Sequence, residues 1–280
     1  MLSSMAIRAI CTVAGAGVTL GGLAATSPVR AQASVIEQLV KESHLTKITQ
    51  SRTLRVCQYP QYYSISFRNP ATGQLEGIDA DLAKELAKDL GVKLEVVESS
   101  FVTFIADLQT NKCDIGMFAV GATLARAKAV EFSKPYLVTS IFGVVKKNGD
   151  IRNWADIDKD GHVVAVSTGS YIETFMNNYL QHAKVLSVTP PATREQEVAI
   201  GHADVVMTDY PTAIKLVKEF DWASIVEPTS PLAVTPYSYV VAPGDQIWLN
   251  YVNQFVDVIK LDGRLKFYAQ KHSLDKIVAP

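Results

Sequence analysis

The chain has 280 residues, with 27 basic and 28 acidic side chains and a formal net charge of −1 at pH 7. This balance gives no support for nucleic acid or an anionic membrane surface as a partner. The length allows one large domain or two lobes of about 100 to 150 residues each.

The first 33 residues have the pattern of a secretory signal peptide. Arg8 precedes an apolar run at 9–25, which is too short and too rich in glycine for a membrane span. The segment ends in Ala31-Gln32-Ala33, an A-x-A cleavage site. We therefore expect cleavage after Ala33 and an exported chain of 247 of the 280 residues, with 25 basic and 28 acidic side chains.

Strand and helix patterns alternate along the rest of the chain. Apolar, β-branched runs predict strands, and apolar residues at helical spacing predict helices. Strands are expected at 54–57, 94–97, 115–118, 163–166, 185–188, 204–207 and 239–241. Helices are expected at 34–42, 79–90, 101–109, 171–180, 195–200, 210–220, 246–259 and 264–272, and from 123 onward. This order predicts βαβ units, a largely parallel sheet and an α/β fold.

The segment at 114–136 departs from the usual rules for helix ends. Thr123 is placed as an N-cap, and Arg126 then occupies the third helical position, where Glu or Gln is typical. A cation in the first turn opposes the helix macrodipole. A bound carboxylate would justify it, because Arg126, backbone amides and the Thr123 hydroxyl could all donate to the carboxylate. A surface arginine paired with a nearby glutamate is the alternative.

Two further strand ends carry polar residues. Asp209 follows a strand and precedes Pro211, so it is expected to cap a helix, and it could also face a ligand cation. The 168–170 segment, Thr-Gly-Ser, could offer amides and hydroxyls to an anion or form a simple turn. In open α/β sheets, ligands lie beyond strand ends of this kind.

The remaining residue types narrow the chemistry. One or two of several aromatic side chains that follow strands are expected to line a pocket; they are Tyr59, Tyr62, Tyr63, Phe67, Phe101 and Phe104. The five histidines lack metal-ligand spacing and no cofactor motif is present, so no metal or cofactor is expected. We expect Cys57 and Cys113 to be separate thiols, although an exported chain permits a disulfide.

Several short motifs act together as a signature. They are Leu54–Val56, Gly77–Leu82, Cys113–Ile115, Thr123-x-x-Arg126, Phe132–Tyr136, Gly201-x-Ala203-Asp204 and Asp209. With them the chain resembles the amino-acid-binding periplasmic proteins of ABC importers, along nearly all of its length after residue 33. The resemblance implies a two-lobed periplasmic-binding-protein fold of type II, with two hinge crossings and a ligand cleft between the lobes. The first lobe would be 34–145 with 239–280, and the second 146–238.

The resemblance also implies roles for residues of both lobes. Arg126 would bind the α-carboxylate of a free amino acid, and Asp209 would accept its ammonium group. The residues expected around them are Thr123, Gly121, Tyr62, Phe104, Phe101, Tyr59, Thr168, Ser170 and Tyr171. Tyr59 stands where binders of basic amino acids often carry an acid, so we expect a neutral, polar ligand.

The expected function is capture of an amino acid in the periplasm and its delivery to the permease subunits of an ABC importer. We expect a monomer with no catalytic residues. The alternative is an enzyme similar to the periplasmic cyclohexadienyl dehydratases, which resemble the same fold and act on prephenate or arogenate. Such an enzyme needs a proton donor in the cleft. The residues that follow Asp209, at 210–212, include no acid, and Glu173 is the nearest other candidate.

Overall fold

The computed structural model describes the backbone of residues 28–280 and the side chains of residues 34–280. The expected signal peptide therefore lies largely outside the described residues, and cleavage after Ala33 stays a prediction. Residues Val40–Pro280 form one compact unit. This unit contains both sheets and is the one described below. No described helix is both long and apolar enough to cross a bilayer.

Helices and strands follow the alternation expected from the sequence. The helices of the described chain are α1 (Pro28–Glu42), α2 (His44–Ser51), α3 (Ile78–Leu90), α4 (Phe104–Gln109), α5 (Tyr171–Tyr179), α6 (Arg194–Ala199), α7 (Tyr210–Glu219), α8 (Gln246–Leu261) and α9 (Arg264–Lys271). The strands are β1 (Thr53–Gln58), β2 (Phe67–Arg68), β3 (Leu75–Glu76), β4 (Lys93–Glu98), β5 (Ile115–Gly121), β6 (Glu131–Thr139), β7 (Ile141–Lys146), β8 (Val163–Ser167), β9 (Lys184–Val188), β10 (Val205–Asp209), β11 (Ala223–Val226) and β12 (Thr235–Val241).

The first sheet has the strand order β4-β1-β5-β12-β6. Strand β1 pairs in parallel with β4 and β5, so the carboxyl ends of these strands lie at one edge. Strand β12 returns antiparallel between β5 and β6. Helix α3 packs on this sheet through Leu82 and Leu86, both fully buried, and ends at Gly91, whose left-handed conformation lets its amide bond to Ala87 and Lys88.

A disulfide joins Cys57 and Cys113, so the expectation of two separate thiols is wrong. Pairing of β1 with β5 places Val56 opposite Ile115, and the two cysteine Cα atoms lie 5.6 Å apart. Both cysteines are buried. The two strand ends look unrelated in the sequence, because spacing along the chain does not show which strands become neighbours.

The second sheet has the order β11-β7-β10-β8-β9. The chain leaves the first sheet at Ser140, between β6 and β7, and returns to it between β11 and β12. The lobe boundaries expected from the sequence, 34–145, 146–238 and 239–280, would cut through β7 and β12. From the sheet to which each strand belongs, we propose that the chain crosses between the two lobes at Ser140 and again within residues 227–234.

The helix predicted to start at Thr123 is wrong. Only a short 3₁₀ turn, Arg126–Lys128, forms before β6 begins. Val130 is buried in the core of the first lobe, and this packing overrides the local preference for a helix. The cap bond nevertheless exists, because the Thr123 hydroxyl accepts the Arg126 amide at 3.3 Å.

Candidate functional site

A small cavity lies between the two lobes, beside the carboxyl ends of β1, β8 and β10. Its volume is about 20 Å³, which is room for about one water molecule. An amino acid can therefore enter only when the lobes separate and the side chains that fill the site move aside. The cavity is lined by Tyr59, Gln61, Tyr62, Phe101, Ala119, Ser167, Ser170, Tyr171, Ile172, Arg194, Thr208, Asp209, Thr212 and Tyr237.

A larger groove, about 760 Å³, lies on the first lobe, and its lining includes Gln58 and Glu98, the last residues of β1 and β4. Its charged side chains, apart from Glu76, form ion pairs with one another. Asp81, for example, forms ion pairs with Lys84, Lys271 and His272. Because its central charges are already satisfied, the groove is a weaker candidate for a charged ligand than the interlobe cavity.

Asp209 ends β10 and caps α7, as the sequence predicted, with the Thr212 amide 3.4 Å from Oδ1. The residue is 2% exposed. Its Oδ2 accepts hydrogen bonds from the phenols of Tyr62 and Tyr237, the latter at 2.5 Å. Both phenols belong to the first lobe, so Asp209 bonds across the cleft.

Every hydrogen bond to the Asp209 carboxylate from the described residues comes from a neutral group. Burial, and then the Asp209 charge, raises the pKa values of Tyr62 and Tyr237 well above 10, so both phenols stay protonated. Neutral donors satisfy the oxygens but leave the charge unpaired. A ligand ammonium group would supply both hydrogen bonds and the opposite charge.

Arg126 makes a second bridge between the lobes. Its Nη1 donates to the Gly121 carbonyl at 3.0 Å, in the first lobe, and its Nη2 donates to the Gly169 carbonyl at 2.9 Å, in the second. The guanidinium carbon lies 5.7 Å from the ring centre of Phe101 and 5.4 Å from that of Phe104. Burial lowers the pKa of Arg126, and its acceptors here are neutral carbonyls rather than an anion.

The Tyr171 phenol lies close enough to Asp209 and Arg126 for both charges to affect its pKa. Burial and Asp209 raise the pKa of its phenol, and Arg126 lowers it. Ser170, directly before it, caps α5 by accepting the Glu173 amide at 3.1 Å. The first turn of α5 therefore lies near both the carboxylate and the guanidinium.

The expected site residues fall into two groups. Those that line the cavity are Tyr59, Tyr62, Phe101, Ser170, Tyr171 and Asp209. The others lie around it: Arg126 and Gly121 form one arm of the bridge, Thr123 caps the turn that carries Arg126, Phe104 is buried beneath the guanidinium, and Thr168 bonds to Thr189.

Tyr237 is the main residue that sequence reasoning missed. The expected strand began at residue 239, because the preceding stretch is rich in turn-forming residues. Strand β12 in fact starts at Thr235 and presents Tyr237 to Asp209. Among residues 34–280, no cluster of three or more His, Cys, Asp or Glu could hold a metal ion.

The family profile of the bacterial extracellular solute-binding proteins, family 3, matches residues 54–275. The chain belongs to this family. The predicted family and the two-lobed α/β fold are thus confirmed for this solute-binding protein.

Its relatives include both an enzyme and amino-acid binders. Cyclohexadienyl dehydratase of Pseudomonas aeruginosa is 29% identical, over 81% of this chain and 84% of that protein. The L-cystine-binding protein TcyJ of Escherichia coli is 27% identical, over 84% and 88%. The crystal structure of an ancestral amino acid-binding protein, a precursor of cyclohexadienyl dehydratase, is 35% identical and gives a TM-score of 0.76, over 82% of this chain and 99% of that one.

Proposed function

We propose that this solute-binding protein captures one free amino acid in the periplasm, between Arg126 and Asp209, and delivers it to the permease subunits of an ABC importer. The observation that carries the proposal is the buried Asp209 carboxylate, which accepts hydrogen bonds only from neutral groups among the described residues and faces the opposite lobe. Within the described part of the chain, the guanidinium of Arg126, which also bridges the lobes, likewise donates only to neutral carbonyls. A zwitterion supplies the two charges that both groups lack.

Ligand binding would favour closure of the lobes. In the closed arrangement of the lobes, phenols of the first lobe bond to Asp209 and a carbonyl of the second lobe bonds to Arg126. An amino acid would replace these neutral contacts with charged ones made only when both lobes are in place. Its affinity for the closed form then exceeds that for the open form, and this difference drives closure.

The cavity lining supports a neutral, polar ligand side chain. The Tyr59 phenol bonds to Gln61 at 3.1 Å, and Ser167 is the neighbouring polar group. Arg194 also lines the cavity and donates through Nη1 to the Met207 carbonyl and the Thr208 hydroxyl, both at 3.1 Å. A cationic ligand side chain would be repelled by Arg194.

The test is a thermal-shift screen of the purified protein against the twenty amino acids. A ligand present at 100 times its Kd stabilises the native state by about 2.7 kcal/mol. We expect at least one neutral, polar amino acid to raise Tm, and Arg126→Ala and Asp209→Asn to reduce the shift. Arg152→Ala and Asp160→Asn, which change surface charges of the second lobe, are the matched controls. No shift with any amino acid would overturn the proposal.

A second candidate function is that of a cyclohexadienyl dehydratase, favoured by the similarity to the Pseudomonas enzyme. The proton donor that it needs has little support. Glu173 accepts the Gly169 amide at 2.6 Å and the Ser187 hydroxyl at 2.5 Å, and it does not line the cavity. The buried phenols have raised pKa values and are weak acids at neutral pH.

Incubation with prephenate and with arogenate separates the two functions. We expect no aromatic product above the rate in buffer. Turnover that is lost in a cleft variant such as Asp209→Asn would replace the binding proposal. Export is tested separately, since protein recovered from the periplasm should begin at Ser34.

A further inference from the structure

Asp79 is a fully buried carboxyl group in the first turn of α3. Its Oδ2 accepts the Ala119 amide at 2.7 Å and the Tyr136 phenol at 2.5 Å. Its Oδ1 and the Tyr239 hydroxyl are both buried without a hydrogen-bond partner among the described residues. Burying a carboxyl group costs free energy unless hydrogen bonds compensate for the lost hydration.

Ala119 has an unusual backbone for its residue type. Its φ of +49° lies in the left-handed region, which alanine seldom adopts. The β5–β12 ladder is irregular here: Ser238 faces Val120 while Val240 faces Gly116, so β5 carries extra residues. The Ala119 amide bonds to Asp79 at this irregularity.

The turn at Ala119 is part of the binding cleft. Ala119 lines the interlobe cavity. Two residues later, the Gly121 carbonyl accepts Nη1 of Arg126. The backbone path set at Ala119 therefore determines both a wall of the cavity and the position of an Arg126 acceptor.

We propose that Asp79 is a positioning residue of this site, whose carboxyl holds the backbone turn at Ala119 and thereby the Gly121 carbonyl beside Arg126. Its effect on affinity rests on the proposed amino-acid binding. We call the hydrogen bond from the Ala119 amide to the Asp79 carboxyl the tether. It involves no ligand atom and can be measured separately.

The tether responds to pH. The groups that face the carboxyl are Tyr136 from β6, Tyr239 from β12, the Ala119 amide from β5 and, at the Asp79 carbonyl, the neutral amide of Gln58 from β1. Burial raises the pKa of Asp79 to about 7, against the lowering effect of the bonds from the Tyr136 phenol and the Ala119 amide. Above that pH the ionised carboxylate is the stronger acceptor, so the turn is held more firmly.

The first experiment uses ligand-free protein. The Ala119 amide resonance should move with a midpoint near pH 7 in ¹H–¹⁵N spectra recorded from about pH 5.5 to 8.5. In Asp79→Asn, whose side chain still accepts this amide but does not titrate, it should stay constant. An Ala119 amide that is insensitive to pH, or equally sensitive in both proteins, would overturn the proposal.

The second experiment measures affinity as the concentration of an equimolar mixture of the twenty amino acids at which the protein is half saturated. Asp79→Asn should stay within about threefold of wild type at pH 8, and Asp79→Ala should lose about tenfold or more. Asp81→Asn, two residues on and paired with surface cations, is the control and should keep its affinity. Wild-type affinity in Asp79→Ala would overturn the positioning role.

If Asp79→Ala does not fold, the pH dependence of affinity in wild type and Asp79→Asn tests the positioning role instead. Wild-type affinity should fall below pH 7 and that of Asp79→Asn should not; parallel profiles would overturn the proposal. If wild type binds none of the amino acids while Ala119 titrates as stated, the proposed function fails and the tether stands.

Discussion

The phenol oxygen of Tyr237 lies 2.5 Å from a carboxylate oxygen of Asp209, and this bond joins a strand of the first sheet to a strand of the second. The Tyr62 phenol bonds the same oxygen and lies 3.0 Å from the Tyr237 hydroxyl. Two neutral donors thus occupy the position that we assign to a ligand ammonium group. They stabilise the closed arrangement of the lobes.

Removing one phenol should open the empty protein. Tyr237→Phe deletes a hydrogen bond to a buried carboxylate, which should destabilise the closed, ligand-free form by about 1.5–3 kcal/mol. We expect a larger radius of gyration by small-angle X-ray scattering without ligand and an unchanged radius at saturation.

Tyr251→Phe is the matched control for this change, because Tyr251 stacks on Trp248 in α8, away from the cleft. It should leave the scattering profile unchanged. An identical profile for ligand-free Tyr237→Phe and wild type would contradict the role of the phenol in closure.

Gly169 should be needed for closure because the lobes approach each other there. A Cβ at this residue would lie 2.9 Å from the carbonyl carbon of Phe101, and φ is +75°. Gly169→Ala should therefore weaken ligand binding by about tenfold or more, measured by calorimetry.

Gly161→Ala separates steric from backbone effects. Gly161 has a similar φ of +88°, but a Cβ there would meet nothing within 4 Å. This control should lose stability and keep its affinity. Equal affinity losses in the two variants would show that strain, rather than contact with Phe101, is responsible.

Local signals made most of the fold predictable. Apolar runs located β1, β8 and β10 to within one or two residues, and Asp209 before a proline correctly predicted the cap of α7. These features depend on neighbours in sequence. The family resemblance then supplied the two-lobed arrangement, which the periodicity of a single chain does not contain.

The features that the sequence did not reveal depend on long-range contacts. The helix expected at Thr123 does not form, because Val130 packs into the core instead. The disulfide required knowledge that β1 and β5 are neighbours. Tyr237 lies 28 residues after Asp209 and reaches it only because β12 returns to the first sheet.

The disulfide should be a large part of the stability of the first lobe. It closes a loop between residues 56 apart, which the chain-entropy account values at about 4 kcal/mol. The double variant Cys57→Ser, Cys113→Ser should unfold at lower urea concentration by roughly this free energy. Two free thiols per chain, titrated in denatured and unreduced wild type, would contradict the disulfide.

Stability should fall with rising pH through Asp79. Burial raises the pKa of its carboxyl from 3.8 to about 7, so between these values the native state keeps a proton that the unfolded state has released. The free energy of unfolding from this group then falls by about 1.4 kcal/mol per pH unit, and is constant above pH 7.

Asp79→Asn lacks this titration. The difference in unfolding free energy between wild type and Asp79→Asn, from urea curves at pH 4 to 8, should change steadily up to about pH 7 and then level off. A difference independent of pH would show that Asp79 titrates alike in the native and unfolded states.

The most direct test of the zwitterion site pairs a ligand group with its protein partner. The amino acid selected by the screen and its amine analogue, which lacks the carboxylate, are titrated calorimetrically into wild type and Arg126→Ala. Loss of the carboxylate should weaken binding to wild type by about tenfold or more and change binding to Arg126→Ala little, since coupled partners are not additive. Equal losses in both proteins would contradict the contact between Arg126 and the ligand carboxylate.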